Sequence, residues 1–215
     1  KYYVMALGTG LSVNPVYDEL VSRYEKKKLS FRNVVVFNAY EYYPLRKDSS
    51  IRSINQLKEH FLDHVDITEQ NIFTLDGSIA QEAVQDTCRL YEQRIKTFGG
   101  LDIAILGIGR MGNIAANEPG SSIQSLTRII LIGNMSREEM ENSFKTKEQV
   151  PPCSLTMGVG TLLTAKTVFL TAWGDEKSEI MQKVIEGNIT DTLPATFLQT
   201  HPDAQVVLLS LIHIS

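Results

Sequence analysis

Along the chain, short apolar runs rich in β-branched residues alternate with longer stretches whose apolar positions recur every three or four residues. The runs "YYVMAL", "NVVVFN", "LDIAILG", "RIILIG", "TVFLTAW" and "AQVVLL" read as strands. Between them, "PVYDELVSRYEKK", "INQLKEHFLDHV", "AQEAVQDTCRLYEQRIKTF" and "EKSEIMQKVIEGN" carry the period of an amphipathic helix. Strands that alternate with helices predict βαβ units, and therefore an α/β domain with helices packed over a largely parallel sheet. No internal repeat, low-complexity tract or linker interrupts the pattern, and the polar stretch "NMSREEMENSFKTKEQVPP" is the segment predicted to be most mobile.

Composition adds bounds rather than detail. At 215 residues, with 43% hydrophobic and 21% charged positions, the chain is large enough for one sizeable core and unlike a disordered protein. A net charge of -4, with Lys and Arg scattered apart from "EKKKLS", gives no basic stripe for nucleic acid or an anionic membrane surface. Two distant cysteines, Cys88 and Cys153, form neither a disulfide framework nor a zinc motif, which fits a cytoplasmic setting. No apolar run approaches the roughly 20 residues needed to cross a bilayer. The chain opens inside a strand-like run, and its tail "LSLIHIS", residues 209–215, matches the translation of a widely used sequencing adaptor. Both ends are therefore expected to be cut, with native sequence as one domain over 1–208 and no chemistry at His213.

In an open α/β sheet, ligands gather beyond the carboxyl ends of the strands. Three loops there carry chemistry: "LGTGLS", "FNAYEYYPL" and "LGIGRMGNIAANEP". The last begins like a dinucleotide fingerprint, with Gly107, Gly109 and Gly112 spaced as G-x-G-x-x-G. Its context argues otherwise, because Pro119 and Gly120 interrupt the helix such a site needs, and no Asp or Glu follows between Ser121 and Ser136 for a ribose. In "TGLS", the backbone near Gly10 and the hydroxyls of Thr9 and Ser12 could converge on a phosphate at a helix N-terminus; a tight turn with a capping Ser is the equal alternative.

The ordered set "GIGRMGNIAANEPGSS", "FNAYEYYPL", "FLDHVDI", "MGVGTLL" and "LQTHPDAQVV" resembles glucosamine-6-phosphate deaminases, which belong with sugar isomerases and 6-phosphogluconolactonases. The resemblance runs from about Tyr3 to Leu208 and implies a Rossmann-like three-layer α/β sandwich. It implies a phosphorylated amino sugar as ligand, no cofactor, and conversion of glucosamine 6-phosphate to fructose 6-phosphate and ammonia. Within it, a homo-oligomer and a deacetylase-like domain lost downstream are both compatible.

The resemblance breaks where the chemistry lies. The Asp taken as the carbon-proton base aligns with Tyr40, beside a retained Glu41; a phenol is a poor base at neutral pH, so Glu41 is the candidate to substitute as acid/base group, which requires the loop to turn because adjacent residues of an extended chain point to opposite faces. The Asp and His that open the ring align with Met111 and Asn113, neither of which exchanges protons in the physiological range. Glu118 matches the loop carboxylate and is the foremost acid/base candidate, with a loop-tying role as its alternative. Thr9, Gly10, Leu11 and Ser12 match the phosphate turn, Leu11 in place of a small residue, and Gly107 and Gly109 line the ligand. Lys177 aligns with a phosphate-contacting lysine, and Lys145 is the available substitute for a missing phosphate arginine. His60 and His64 stand four apart, but without a third ligand nearby they read as surface or packing residues, and His201 as structural. Beside the deaminase reading stand a sugar-phosphate sensor that keeps Thr9, Ser12 and Lys177 without proton transfer, and altered isomerase chemistry on a related sugar phosphate; lactonase chemistry is disfavoured.

Overall fold

The computed structural model describes residues 1–140 and 149–209. Among them the strands are β1 (Tyr3–Leu7), β2 (Val34–Asn38), β3 (Tyr40–Tyr43), β4 (Ile72–Phe73), β5 (Ile103–Gly107), β6 (Arg128–Leu131), β7 (Cys153–Thr156), β8 (Thr167–Trp173) and β9 (Ala204–Leu209). The helices are α1 (Asn14–Glu25), α2 (Ser53–His60), α3 (Val84–Thr97), α4 (Asn134–Met140), α5 (Val159–Leu162) and α6 (Ser178–Glu186).

Six strands form a sheet in the order β4-β2-β1-β5-β8-β9, every pair parallel. Side chains alternate across it. Val4, Ala6, Val35, Phe37, Ala104 and Leu106 point into one core, while Met5, Leu7, Val34, Val36 and Ile105 point into the other. The first core is closed by α3, whose Val84, Cys88, Tyr91 and Ile95 recur at helical spacing, and by Ile180, Met181 and Val184 of α6. The second is closed by Tyr17 of α1 and by Ile54, Leu57 and Phe61 in and beside α2. The three-layer Rossmann-like architecture read from the sequence is the one observed.

Chain order moves outward in one direction through β1, β2 and β4 and in the other through β5, β8 and β9. The reversal lies between β1 and β5, so their carboxyl ends part and leave a crevice at the switch point.

Three strands depart from the single sheet implied by the periodicity. "RIILIG" supplies β6, which joins β7 and β3 in a separate antiparallel sheet of order β3-β7-β6. β3 lies within "FNAYEYYPL", expected as a loop; its aromatic and charged residues hide the alternation of Tyr40 and Tyr42 on one side with Glu41 and Tyr43 on the other. Of the polar stretch expected to be mobile, the first seven residues form α4, while 141–148 lie outside the described residues. Leu209 closes β9 opposite Trp173, and the rest of the tail set aside above, 210–215, also lies outside them.

The two sheets separate at Asn38, the last residue of β2. Its side-chain amide donates to the Tyr40 carbonyl at 2.9 Å and to Ser53 Oγ at 3.0 Å. Its oxygen accepts from the Leu75 N–H at 2.8 Å and the Tyr91 hydroxyl at 3.1 Å. All four bonding capacities of the amide are thus filled in a site 1% exposed. Asn38→Ala is expected to cost about 3 kcal/mol, because buried donors and acceptors lose their partners together. Asn38→Asp should cost a comparable amount, since it offers no donor to Tyr40 or Ser53. Urea unfolding measures both; a loss under about 1 kcal/mol for either would contradict the hub.

Candidate functional site

The crevice at the switch point opens into a cavity of about 530 Å³. Its walls come from the turns after β1 and β5, from β3, from α4, and from the end of β8 with the residues that follow it. A larger groove of about 750 Å³ lies between α3 and β6, away from the strand ends, and collects none of the residues the motifs singled out. The chemistry converges on the smaller cavity.

β1 runs into Gly8, Thr9 and Gly10, and the chain turns there to reach α1. Gly8 donates its N–H to the Ile105 carbonyl at 2.8 Å, which pins the turn to β5. Gly10 sits at φ +120°, a conformation that favours glycine. Thr9, Gly10, Leu11 and Ser12 all line the cavity. The Leu11 side chain is 85% exposed, so it stands at the mouth rather than in the turn. Its carbonyl accepts the indole N–H of Trp173 at 3.0 Å, tying the β1 turn to the end of β8.

The glycines after β5 build a hairpin. Ile108 and Ile114 form an antiparallel bridge, Gly109 N–H donates to the Asn113 carbonyl and Gly112 N–H to the Gly109 carbonyl, both at 3.0 Å, and Gly112 has φ +71°. No helix begins at this turn, so it lacks the N-terminus on which a pyrophosphate rests. Gly109 serves a local purpose: a Cβ there would lie 2.0 Å from Asn113 Oδ1. Asn113 is thereby packed at 6% exposure along the cavity wall, and its Oδ1 has no hydrogen-bond partner. An orphaned buried acceptor at a pocket wall is suited to a ligand hydroxyl or amine.

Tyr40 and Tyr42, two apart on β3, both face the cavity, their rings edge to face at 5.8 Å. The Tyr40 hydroxyl shares a 2.7 Å hydrogen bond with Thr9 Oγ1. Burial pushes the Tyr40 phenol above its ordinary value, against the opposing hydrogen bonds from Thr9 and Tyr42, and raises Tyr42 further. Both phenols therefore stay protonated at neutral pH and act there as hydrogen-bond partners.

The two glutamates expected to do acid/base work are not among the lining residues. Glu41, between the two tyrosines, points to the opposite side of β3 and is fully buried. Its Oε1 accepts the N–H groups of Ser53 and Tyr42 at 2.9 and 3.0 Å, anchoring the start of α2. Its Oε2 has no hydrogen bond and sees Arg52 Nε at 3.8 Å. Burial raises its proton affinity, with those N–H groups and Arg52 opposing. Glu118 does not line the cavity, although its near neighbours in sequence Ala115 and Ala116 do. Its carboxylate accepts Ser136 Oγ at 2.9 Å and the Gly133 N–H, so it secures the first turn of α4. Met111 is not among the lining residues either, and Lys145 lies outside the described residues.

Lys177 reaches the cavity from the single turn of 3₁₀ helix, Asp175–Lys177, that leads into α6. It is 8% exposed, and its ammonium donates to Glu139 Oε1 at 2.5 Å. Gly107 and Gly109 line the floor. Sequence reasoning missed Tyr42, Arg110, Glu139 and Trp173. Only Tyr42 had a signal, its two-residue spacing from Tyr40; the others depend on how separate loops meet.

Among the described residues, the three histidines make local hydrogen bonds away from the cavity. His60 Nε2 lies 3.1 Å from Asn14 Nδ2, His64 Nε2 donates to the Glu59 carbonyl at 2.7 Å, and His201 bonds the Ala165 carbonyl and the Asp203 N–H. Among the described residues, no three His, Cys, Asp or Glu side chains gather as metal ligands do.

Residues 2–208 match the family model described as glucosamine-6-phosphate isomerases/6-phosphogluconolactonase. A glucosamine-6-phosphate deaminase-like protein of Bacteroides thetaiotaomicron is 54% identical over 208 residues; the match covers 97% of this chain and 31% of that protein's length. A glucosamine-6-phosphate deaminase of Oceanobacillus iheyensis is 34% identical, over 95% of this chain and 81% of its own. The solved structure of a monomeric glucosamine-6-phosphate deaminase superposes with a TM-score of 0.92 at 33% identity, over 97% of this chain and 86% of that one. A 6-phosphogluconolactonase of Thermotoga maritima, at 21% identity and TM-score 0.75, shares the fold.

Burial raises the Glu118 carboxyl above its ordinary value of 4.5, with Ser136 and Gly133 opposing. The folded chain therefore holds a proton there that the unfolded chain has released, so this group's contribution is full below the ordinary value and is lost as pH rises through the raised one. Glu118→Gln, which has no carboxyl to ionise, is expected to gain stability relative to the parent between about pH 4 and pH 7. Urea unfolding at both pH values tests this; an unchanged difference would refute it.

Proposed function

Because the chain belongs to the family of glucosamine-6-phosphate isomerases and 6-phosphogluconolactonases, whose members are enzymes, we propose that its cavity takes a phosphorylated amino sugar. The proposed reaction is conversion of glucosamine 6-phosphate to fructose 6-phosphate and ammonia. The single observation that carries this reading is the meeting of Lys177 with the turns after β1 and β5 in one cavity at the switch point. A nearly buried ammonium beside turn N–H groups and the hydroxyls of Thr9 and Ser12 is a donor set for a phosphate.

The sugar then extends toward β3 and the glycine hairpin. Asn113 Oδ1, with no partner of its own, accepts a hydrogen from a sugar hydroxyl or from the amine. Tyr40 keeps its proton, donates it to Thr9 Oγ1 so that the Thr9 hydroxyl stays free for the phosphate, and accepts a hydrogen from a sugar hydroxyl. On this reading Glu118, whose proton affinity is raised, is the acid/base group, and it must leave Ser136 and enter the cavity to act, because it does not line the cavity in the structure.

A specific observation favours a second reading, a receptor that binds the sugar phosphate without turnover. Glu41 and Glu118 are both committed to helix N-termini, and Tyr40 and Asn113 do not exchange protons at neutral pH. The two readings part on one assay, ammonia release from glucosamine 6-phosphate with thermal-shift binding in parallel. The deaminase reading expects turnover that Glu118→Gln lowers by about 100-fold or more with little change in binding. Binding with no ammonia from either protein leaves the receptor. Lys177→Met should weaken binding about tenfold or more on either reading, since it removes a charged hydrogen bond. Unchanged affinity in that variant would sink both.

A further inference from the structure

The turn after β5 and the end of β8 each aim one donor at the same place, and a carboxylate lies between them. Glu139 Oε2 accepts the Arg110 backbone N–H at 3.0 Å, and Oε1 accepts the Lys177 ammonium at 2.5 Å. A backbone N–H and an ammonium that converge on two oxygens of one group form the donor pair expected to hold a phosphate. The group that fills it belongs to the chain itself. Glu139 stands on α4, whose first turn is fixed by Glu118 through Ser136, so the helix that brings the carboxylate in is itself held in place.

We propose that Glu139 is a specificity-determining residue of this cavity: its carboxylate occupies the anion seat of the free protein and must leave before a phosphate can enter. The inference rests on the reading of Lys177 as the anion-binding residue. A phosphate and the Glu139 carboxylate cannot share Lys177 and Arg110 N–H, because two anions in contact within a partly desolvated pocket repel strongly. Glu176, which also lines the cavity, adds a second negative charge nearby and deepens the penalty for an incoming anion. Apparent affinity for a phosphorylated ligand is therefore the intrinsic affinity reduced by the fraction of molecules whose seat is vacated. The residue tunes the site toward ligands whose remaining contacts are good enough to displace it, and against free phosphate.

Calorimetric titration of the full chain with inorganic phosphate tests this. Glu139→Gln keeps the shape and removes the charge, and is expected to bind phosphate about tenfold more tightly than the parent, as a seat vacant one time in ten would require. Glu139→Ala serves if the Gln variant fails to fold and should show the same direction. Adding Lys177→Gln should abolish the gain. The proposal is overturned by folded variants that bind phosphate no more tightly than the parent, by a gain that survives loss of Lys177, or by no phosphate binding in any variant. The amino-sugar reading fails separately: if Glu139→Gln binds glucosamine 6-phosphate no better than inorganic phosphate, the seat stands and the sugar assignment falls.

Discussion

The site depends on one buried amide. β2 must end where the chain leaves a six-stranded parallel sheet and enters a three-stranded antiparallel one, and only one residue, Ala39, separates β2 from β3. A junction that short has little freedom to choose its direction. Asn38 sets it by bonding the Tyr40 carbonyl on one side, Ser53 at the head of α2 on another, and Leu75 and Tyr91 beneath. Ser53 Oγ donates to the same Tyr40 carbonyl at 2.5 Å, so the first residue of β3 is held from two directions. Fixing that residue also fixes which β3 side chains see the cavity, because a strand exposes alternate positions.

That constraint accounts for the different fates of neighbouring residues. Tyr40 and Tyr42 enter the cavity, and Glu41 is forced to the far side of β3, where an isolated carboxylate would be costly to bury. The Ser53 N–H at the head of α2, the Tyr42 N–H of β3 itself and the nearby Arg52 meet the cost in part. Glu118 follows the same logic at the head of α4. Both glutamates that the motifs offered as catalytic groups thus do structural work at helix N-termini, where orphan N–H groups and the macrodipole favour a negative charge. The cavity's own charge is left to Arg110 in the turn after β5, Glu139 on α4, and Glu176 and Lys177 in the 3₁₀ turn before α6.

This division explains what could be read from the sequence. Strand runs such as "NVVVFN" and helices such as "AQEAVQDTCRLYEQRIKTF" carry their periodicity in the side chains that make the core, so the α/β architecture was legible. The glycine turns were legible for a related reason: Pro119 and the missing acid argued against a dinucleotide, and the chain forms a hairpin there. The antiparallel sheet was not, because β3 and β7 are four residues each, too short to declare a period. Glu139 was illegible on principle. Its partners, Arg110 and Lys177, lie 29 and 38 residues away, and nothing local marks a surface-helix glutamate as the occupant of a distant lysine.

The polar lining of the cavity divides into neutral and charged groups. A carboxylate where Tyr40 stands would add negative charge next to Thr9 and compete for cations; the phenol instead closes a neutral bond with Thr9 and keeps its proton because burial disfavours the phenolate. Asn113 likewise offers a neutral acceptor. Tyr40, Tyr42 and Asn113 give the cavity a neutral, hydrogen-bonding lining, while Lys177 is paired with an internal acid. A ligand that displaces Glu139 must bring its own anion and must also satisfy Asn113 and the tyrosines, since neither set of contacts alone replaces what is already made. Recognition then requires both ends of one molecule to fit at once.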